Sequence, residues 1–276
     1  MNALEIHGLT KQRDSFALQG LELTLPAGCI MGLIGENGAG KSTTIRLILD
    51  SLRRDSGTVA VYGKDNRALT ALEREDIGVV LDEVGLPEYL NAAQIGRMMA
   101  GIFTRWQPEV YAEYLRRFGL PADKSFRDYS RGMKMKQGLA AALSHQPKLL
   151  LLDEATSGLD PVVRDEILTI FEDFTRDESH AVLLSSHIVS DLEKICDYIA
   201  FLHRGRLLLC EEKDRLAEEY GILRGGADGL DPAAVCGKRA TPYGTEYLVR
   251  RGAVPAGTTL GQVGIEELFV FMAKEA

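Results

Sequence analysis

Two stretches of this chain carry no polar side chain, and they organise the reading of the rest. Cys29-Ile30-Met31-Gly32-Leu33-Ile34 and Leu149-Leu150-Leu151-Leu152 are continuous apolar runs, the pattern of strands buried on both faces. Gly20-Leu21-Glu22-Leu23-Thr24-Leu25 alternates apolar and polar positions instead, as a half-buried strand does. Residues 3–7, 57–61, 77–81, 181–185 and 198–202 read as further strands, and 205–209 as one able to pair with 198–202 through the turn Arg204-Gly205. Between 91 and 145 the period becomes helical, over 91–104, 108–118 and 131–145, with Gly119-Leu120-Pro121 as a break. A helix starts near Lys41 after a glycine-rich loop. Another starts at Pro161, where the missing N–H of proline costs little in a first helical turn.

Strands alternating with helices predict an α/β fold. The pattern changes after about Asp214. Gly221, Gly225, Gly226 and Gly229 crowd one region, and a β-like stretch (245–250) and an apolar helix (264–273) follow, predicting a linker and a small accessory domain. A length of 276 residues fits one large domain with such an appendage.

A formal net charge of −8 argues against non-specific nucleic-acid binding, which needs basic surface to displace counterions from phosphates. Cys29, Cys196, Cys210 and Cys236 form no C-x-x-C pair and are expected to be free, mostly buried thiols. No segment reaches the ~20 apolar residues of a membrane span, and the start Met-Asn-Ala-Leu-Glu-Ile-His lacks the basic head and apolar middle of a signal peptide. The expectation is a cytoplasmic protein that meets a membrane through a partner.

Gly35-Glu36-Asn37-Gly38-Ala39-Gly40-Lys41-Ser42 fits G-x-x-x-x-G-K-[ST] and lies between a buried strand and a helix, the setting that makes the motif specific. Glycines permit positive φ and close approach of backbone to phosphate. Successive N–H groups, with Thr43 at the start of the helix, cradle negative charge. Lys41 supplies a point charge to the β- and γ-phosphates of ATP, and Ser42 a hydroxyl to Mg²⁺. Asp153 and Glu154 end the second apolar run, at the strand edge where ligands of open α/β sheets bind. Asp153 is the expected Mg²⁺ partner, and Glu154 is placed to polarise an attacking water.

Three further motifs give the chain a resemblance to the ABC transporter ATPases over roughly residues 1–212. Tyr129-Ser130-Arg131-Gly132-Met133 resembles the family signature, Ser157-Gly158-Leu159-Asp160 its D-loop, and His187 its switch histidine. The resemblance implies a P-loop NTPase core with a mainly parallel sheet, an antiparallel β subdomain and an inserted helical subdomain at about 86–145. An ATPase domain at 1–213 would precede a small α+β appendage at 214–276. It also implies a head-to-tail pair of chains, homodimer or paralogous, in which Ser130 and the N–H of Gly132 of one copy cover ATP held by the phosphate loop of the other. His187 would then orient Glu154 and the water, and Asp160 would communicate between sites. Ser130 is equally the residue type of a helix N-cap.

The chain departs from the family pattern at three places. Asp82 stands where glutamine is usual and is expected to ligate Mg²⁺ or to repel the triphosphate until metal arrives. Arg13 aligns with the adenine-stacking tyrosine; Phe16 is either a substitute platform or a core residue, and the Arg13 guanidinium can itself stack. In the signature, Arg131 replaces a glycine and Met133 the glutamine. Leu86, Tyr89, Leu90, Met98, Met99, Phe103 and Trp106 give the helical segment enough apolar surface for a core and a docking groove. The resemblance is to bacterial subunits of type-two exporters, driving an integral membrane permease for drugs, peptides, lipids or glycans. The alternative is a soluble, non-transport ABC ATPase, which the single cassette and the lack of a long coiled-coil insertion disfavour.

Overall fold

The computed structural model describes residues 1–13, 16–225, 230–242, 244–255 and 257–275; of the crowded glycines, Gly226 and Gly229 lie outside them. The chain opens with an antiparallel pair, β1 (Asn2–Arg13) and β2 (Phe16–Pro26), then β3 (Ile30–Ile34), α1 (Lys41–Ile48), β4 (Ser56–Val61), β5 (Lys64–Asp65), α2 (Ala71–Arg74) and β6 (Ile77–Val80). Three helices follow, α3 (Ala92–Ala100), α4 (Pro108–Arg117) and α5 (Arg131–Leu143). Next come β7 (Leu149–Asp153), α6 (Pro161–Phe174), β8 (Ala181–Ser186), α7 (Val189–Ile195), β9 (Tyr198–His203) and β10 (Arg206–Glu212). The C-terminal part comprises α8 (Lys213–Glu219), β11 (Tyr220–Arg224), β12 (Val235–Thr241), β13 (Gly244–Arg250) and α9 (Ile265–Glu275).

The central sheet has the order β10-β9-β3-β8-β7-β6, with β10 antiparallel to β9 and the other pairings parallel. Its strands explain the apolar runs. Successive side chains point to opposite faces, so Ile30, Ile34, Leu150, Leu152, Val182, Leu184, Ile199 and Phe201 enter one hydrophobic cluster. Their neighbours Met31, Leu33, Leu149, Leu151, Ala181, Leu183, Ala200 and Leu202 enter another. The first cluster is closed by α3 to α7 and the C-terminal part, the second by α1 and the antiparallel sheet β2-β1-β4-β5. Each fully buried leucine contributes roughly 1.5–3 kcal/mol.

The expected α/β architecture is present, with differences that have local causes. β1 extends well past residue 7 because register shifts at Ile6/Leu9 and Leu9/Lys11 carry the pairing through a break in alternation. The helix expected to 104 ends at Ala100. The Glu75 carboxylate then takes the N–H groups of Thr104 (2.9 Å) and Arg105 (3.0 Å), drawing the backbone away from helical geometry. Burial works against the charge on Glu75, but these donors, the Thr104 hydroxyl and Arg105 outweigh it and hold the carboxyl below its usual range. The four cysteines are free, but Cys196 alone among them is fully buried.

The C-terminal part begins directly after β10, with α8, where a linker was expected. The stretch at 245–250 is the centre of a sheet, β11-β13-β12, whose outer strands the sequence pattern hid. Helix α9 lies on β12, with Arg239 between Glu246 and Glu267 (2.5 Å each) and over the Phe271 ring. It also reaches the central body: the Ile265 N–H donates to Glu193 of α7 at 2.8 Å, and Phe269 meets Phe201 of β9 edge to face. Leu216, Tyr220, Ile222, Leu248, Leu268 and Phe271 belong to the same hydrophobic cluster as the central sheet.

Candidate functional site

The loop between β3 and α1 is shaped by glycines at positions where no other residue fits. A Cβ on Gly35 would lie 2.5 Å from the Leu202 carbonyl oxygen, and one on Gly40 would lie 2.7 Å from the Phe16 ring. Gly40, at φ 117°, is the N-cap of α1; that helix end points its free N–H groups at the loop's concavity. Lys41 is 6% exposed, donates to the Gly35 carbonyl at 2.7 Å, and lies 3.1 Å from Glu154 Oε1. From β9, His203 Nδ1 lies 3.0 Å from Glu36 Oε1 without forming a hydrogen bond to it.

Glu154 follows β7 in the left-handed region, at φ 52°, a conformation uncommon outside glycine. Its N–H is held by the Ser185 carbonyl (3.1 Å) and hydroxyl (3.2 Å), and its carbonyl by Ser157 N–H (3.0 Å). This turn aims the carboxylate between Lys41 and His187, whose Nδ1 lies 2.6 Å from Glu154 Oε2. A carboxylate only accepts, so the imidazole donates. Asp153 is buried one position deeper, paired in register with Ser185, whose hydroxyl donates to its Oδ1 at 2.6 Å.

An open cleft of about 1080 Å³ gathers Arg13, Phe16, Asn37, Gly38, Gly40, Lys41, Ser42, Thr43, Asp82 and Glu154 on its walls. Ala39 is buried behind the loop, and Asp153 lies beneath the cleft rather than on its wall. Arg13 and Phe16 face each other in register at the end of the β1–β2 pair. Phe16 both lines the cleft and packs on the core. His187 borders the cleft through Glu154.

Ser130, Gly132 and Asp160 are absent from these walls. They line a second concavity of about 340 Å³, together with Gly158 and Leu159. Ser130 is the N-cap of α5, accepting from Met133 N–H at 3.3 Å, and Asp160 the N-cap of α6, accepting from Val162 and Val163 N–H at 3.1 Å each. The sequence-predicted residues therefore form two groups. Sequence reasoning missed Ser185, although a hydroxyl ending an apolar strand beside an acid-ended one was a legible signal. It also missed the ion pair between Asp82 and Arg131, at 2.6 Å, which only the fold brings together.

A cation-bearing glycine loop at a helix N-terminus, with the Glu154 carboxylate 3.1 Å from its lysine on the wall of an open cleft, defines a nucleotide-hydrolysing P-loop protein. The ABC transporter family profile matches residues 18–157. The ABC transporter ATP-binding protein YhcH of Bacillus subtilis is 35% identical over 74% of this chain and 68% of its own length. The bacitracin transport ATP-binding protein BcrA of Enterococcus faecalis is 32% identical over 74% and 68%. A solved ATP-binding subunit of an ABC transporter superposes with a TM-score of 0.71 at 26% identity, over 78% of this chain and 92% of that one. The chain belongs to the ABC transporter family as one of its ATP-binding proteins, and it is an ATPase coupled to transport.

Proposed function

We propose that two copies of this chain, or one copy and a paralogue, close head to tail around two ATP molecules and so drive an integral membrane permease. The observation that carries this reading is the division of the site residues between two concavities. Lys41 and Glu154 stand in one, and Ser130, Gly132 and Asp160 in the other. A second copy in reversed orientation brings the missing group to each cleft, with the α5 N-terminus adding favourable partial charge toward the γ-phosphate.

Within one cleft, the loop N–H groups and Lys41 hold the phosphates. Glu154 accepts the proton of the attacking water as its oxygen bonds to the γ-phosphorus and the β–γ bridging oxygen leaves with ADP. His187 fixes the Glu154 carboxylate through Nδ1 and so orients it toward the water. Arg13 and Phe16 flank the base. Among the described residues, no group of three or more His, Cys, Asp or Glu side chains could hold a metal alone. Mg²⁺ is bound by one or two carboxylates together with substrate phosphates. Ser42, Asp153 and Asp82 are the oxygen donors that would hold it, and when bound it neutralises charge on the β- and γ-phosphates.

An apolar groove between β6 and the helical segment, lined by Val80, Val84, Leu86, Met99, Phe103 and Ala142 among others, supports docking of a permease helix. Tyr89 stands exposed nearby in sequence, while Leu86, Leu90, Met99 and Trp106 lie partly buried against the core. Among the described residues no helix is long and apolar enough to cross a membrane; the reading makes the chain a peripheral subunit at the cytoplasmic face. We place the ATPase domain at 1–213, with its helical subdomain at about 86–145, and an accessory domain at 214–276. Similarity to a bacitracin transport protein favours export of a drug, peptide, lipid or glycan. The test is a pull-down of tagged Glu154→Gln chain from detergent-solubilised native membranes with ATP and Mg²⁺. A stoichiometric multi-span membrane protein is expected; recovery of soluble partners alone would overturn the transport reading.

A further inference from the structure

Asp82 and Arg131 both depart from the family pattern, and the fold sets them against each other. Asp82 follows β6 and lines the nucleotide cleft. Arg131 is the first residue of α5, directly after Ser130, and lines the second concavity. Its guanidinium donates to Asp82 Oδ1 at 2.6 Å. A cation at a helix N-terminus opposes the helix dipole, so the carboxylate compensates a charge that the helix alone disfavours. The same Arg131 side chain lies across Gly158: its Cδ, Nε and Cζ would each stand 3.5 Å from a Cβ at that position, where φ is 69°. Gly158 lies two residues before Asp160, the cap of α6. One side chain thus pairs with a residue on the edge of the chain's own cleft and lies over the turn before α6.

We propose that Arg131 is a positioning residue, a latch that shares the Asp82 carboxylate with the metal of the nucleotide and relays occupancy of the cleft to the chain's second face. While Arg131 holds Asp82, the carboxylate is neutralised and the Gly158 turn is pinned. When the carboxylate turns to metal, Arg131 is released, and the face offered to the other copy changes with it. The latch rests on the nucleotide site proposed above. Both side chains are about half exposed (52% and 51%), so the pair can open and its substitution leaves the core intact.

The test uses the full chain with ADP and Mn²⁺, whose binding is read by electron paramagnetic resonance. Arg131→Gln is expected to raise Mn²⁺ affinity about two- to fivefold, the range an exposed ion pair supports. In the Asp82→Asn background the same substitution changes nothing. Hydrogen exchange in the turn at 157–160 should respond to Mn²⁺–ADP in the unaltered chain and not in Arg131→Gln. No effect of Arg131→Gln, or an equal effect in both backgrounds, overturns the latch. The underlying site fails separately: if Lys41→Ala binds ADP as tightly as the unaltered chain, the nucleotide reading falls first.

Discussion

Replacing Ser185 by alanine removes one hydroxyl that performs two tasks at the base of the cleft. It donates to the buried Asp153 carboxylate at 2.6 Å and accepts from Glu154 N–H at 3.2 Å. The second loss is covered, because Glu154 N–H keeps the Ser185 carbonyl at 3.1 Å. The first is not: Asp153 is 5% exposed, and no other described side chain hydrogen-bonds it. A hydrogen bond to a charged group contributes about 1.5–3 kcal/mol, and that is the expected destabilisation of nucleotide-free Ser185→Ala. For a chain of this size it corresponds to a fall in Tm of roughly 3–12 °C. Urea unfolding measures it as a lower midpoint at unchanged slope. In an Asp153→Asn background the bond becomes neutral, and the cost should drop to roughly 0.5–1.5 kcal/mol. A cost below about 0.5 kcal/mol in the unaltered background, or the same cost in both, would refute the assignment of this hydroxyl to the carboxylate.

Two further outcomes follow from other parts of the molecule. With ATP and Mg²⁺, Glu154→Gln should elute from gel filtration as a stable dimer; a monomer under those conditions counts against self-pairing. Burial of His145, which stacks on Phe103, holds its pKa below the ordinary 6.5, against the pull of its bond to the Glu75 carbonyl. The unfolded chain therefore takes up the proton first. The contribution of His145 is full above pH 6.5 and is lost as the pH falls toward the folded value. Stability of the unaltered chain should accordingly drop more steeply below pH 6.5 than that of His145→Gln; parallel profiles by urea unfolding would show that this ring does not titrate with folding.

The parts of the fold legible in the sequence are those whose cause is local. Strands β3 and β7 announce themselves because burial on both faces leaves no room for a polar side chain. The phosphate loop is legible because its glycines answer to a close approach and a backbone angle that only glycine meets. What stayed hidden depends on partners distant in the chain. Strand β12 reads as polar because Lys238 is exposed and Arg239 is held by Glu246 and Glu267 from β13 and α9. Helix α7 has seven residues, too few to display a period, and is fixed by packing on β3 and α9. The Asp82–Arg131 pair joins residues that a motif-by-motif reading treats as two unrelated exceptions.

The packing of α9 bears on how such a chain can change over generations. Phe269 against Phe201 and the Glu193 carboxylate on the Ile265 N–H make its docking face part of the interior shared with the central sheet. Recombination that exchanged everything after residue 213 for a foreign tail would leave Phe201, Glu193 and their neighbours facing surfaces shaped for other side chains. Tail and cassette are therefore constrained to change together, because a substitution in α9 alters the surface that the helix following His187 and strand β9 pack against.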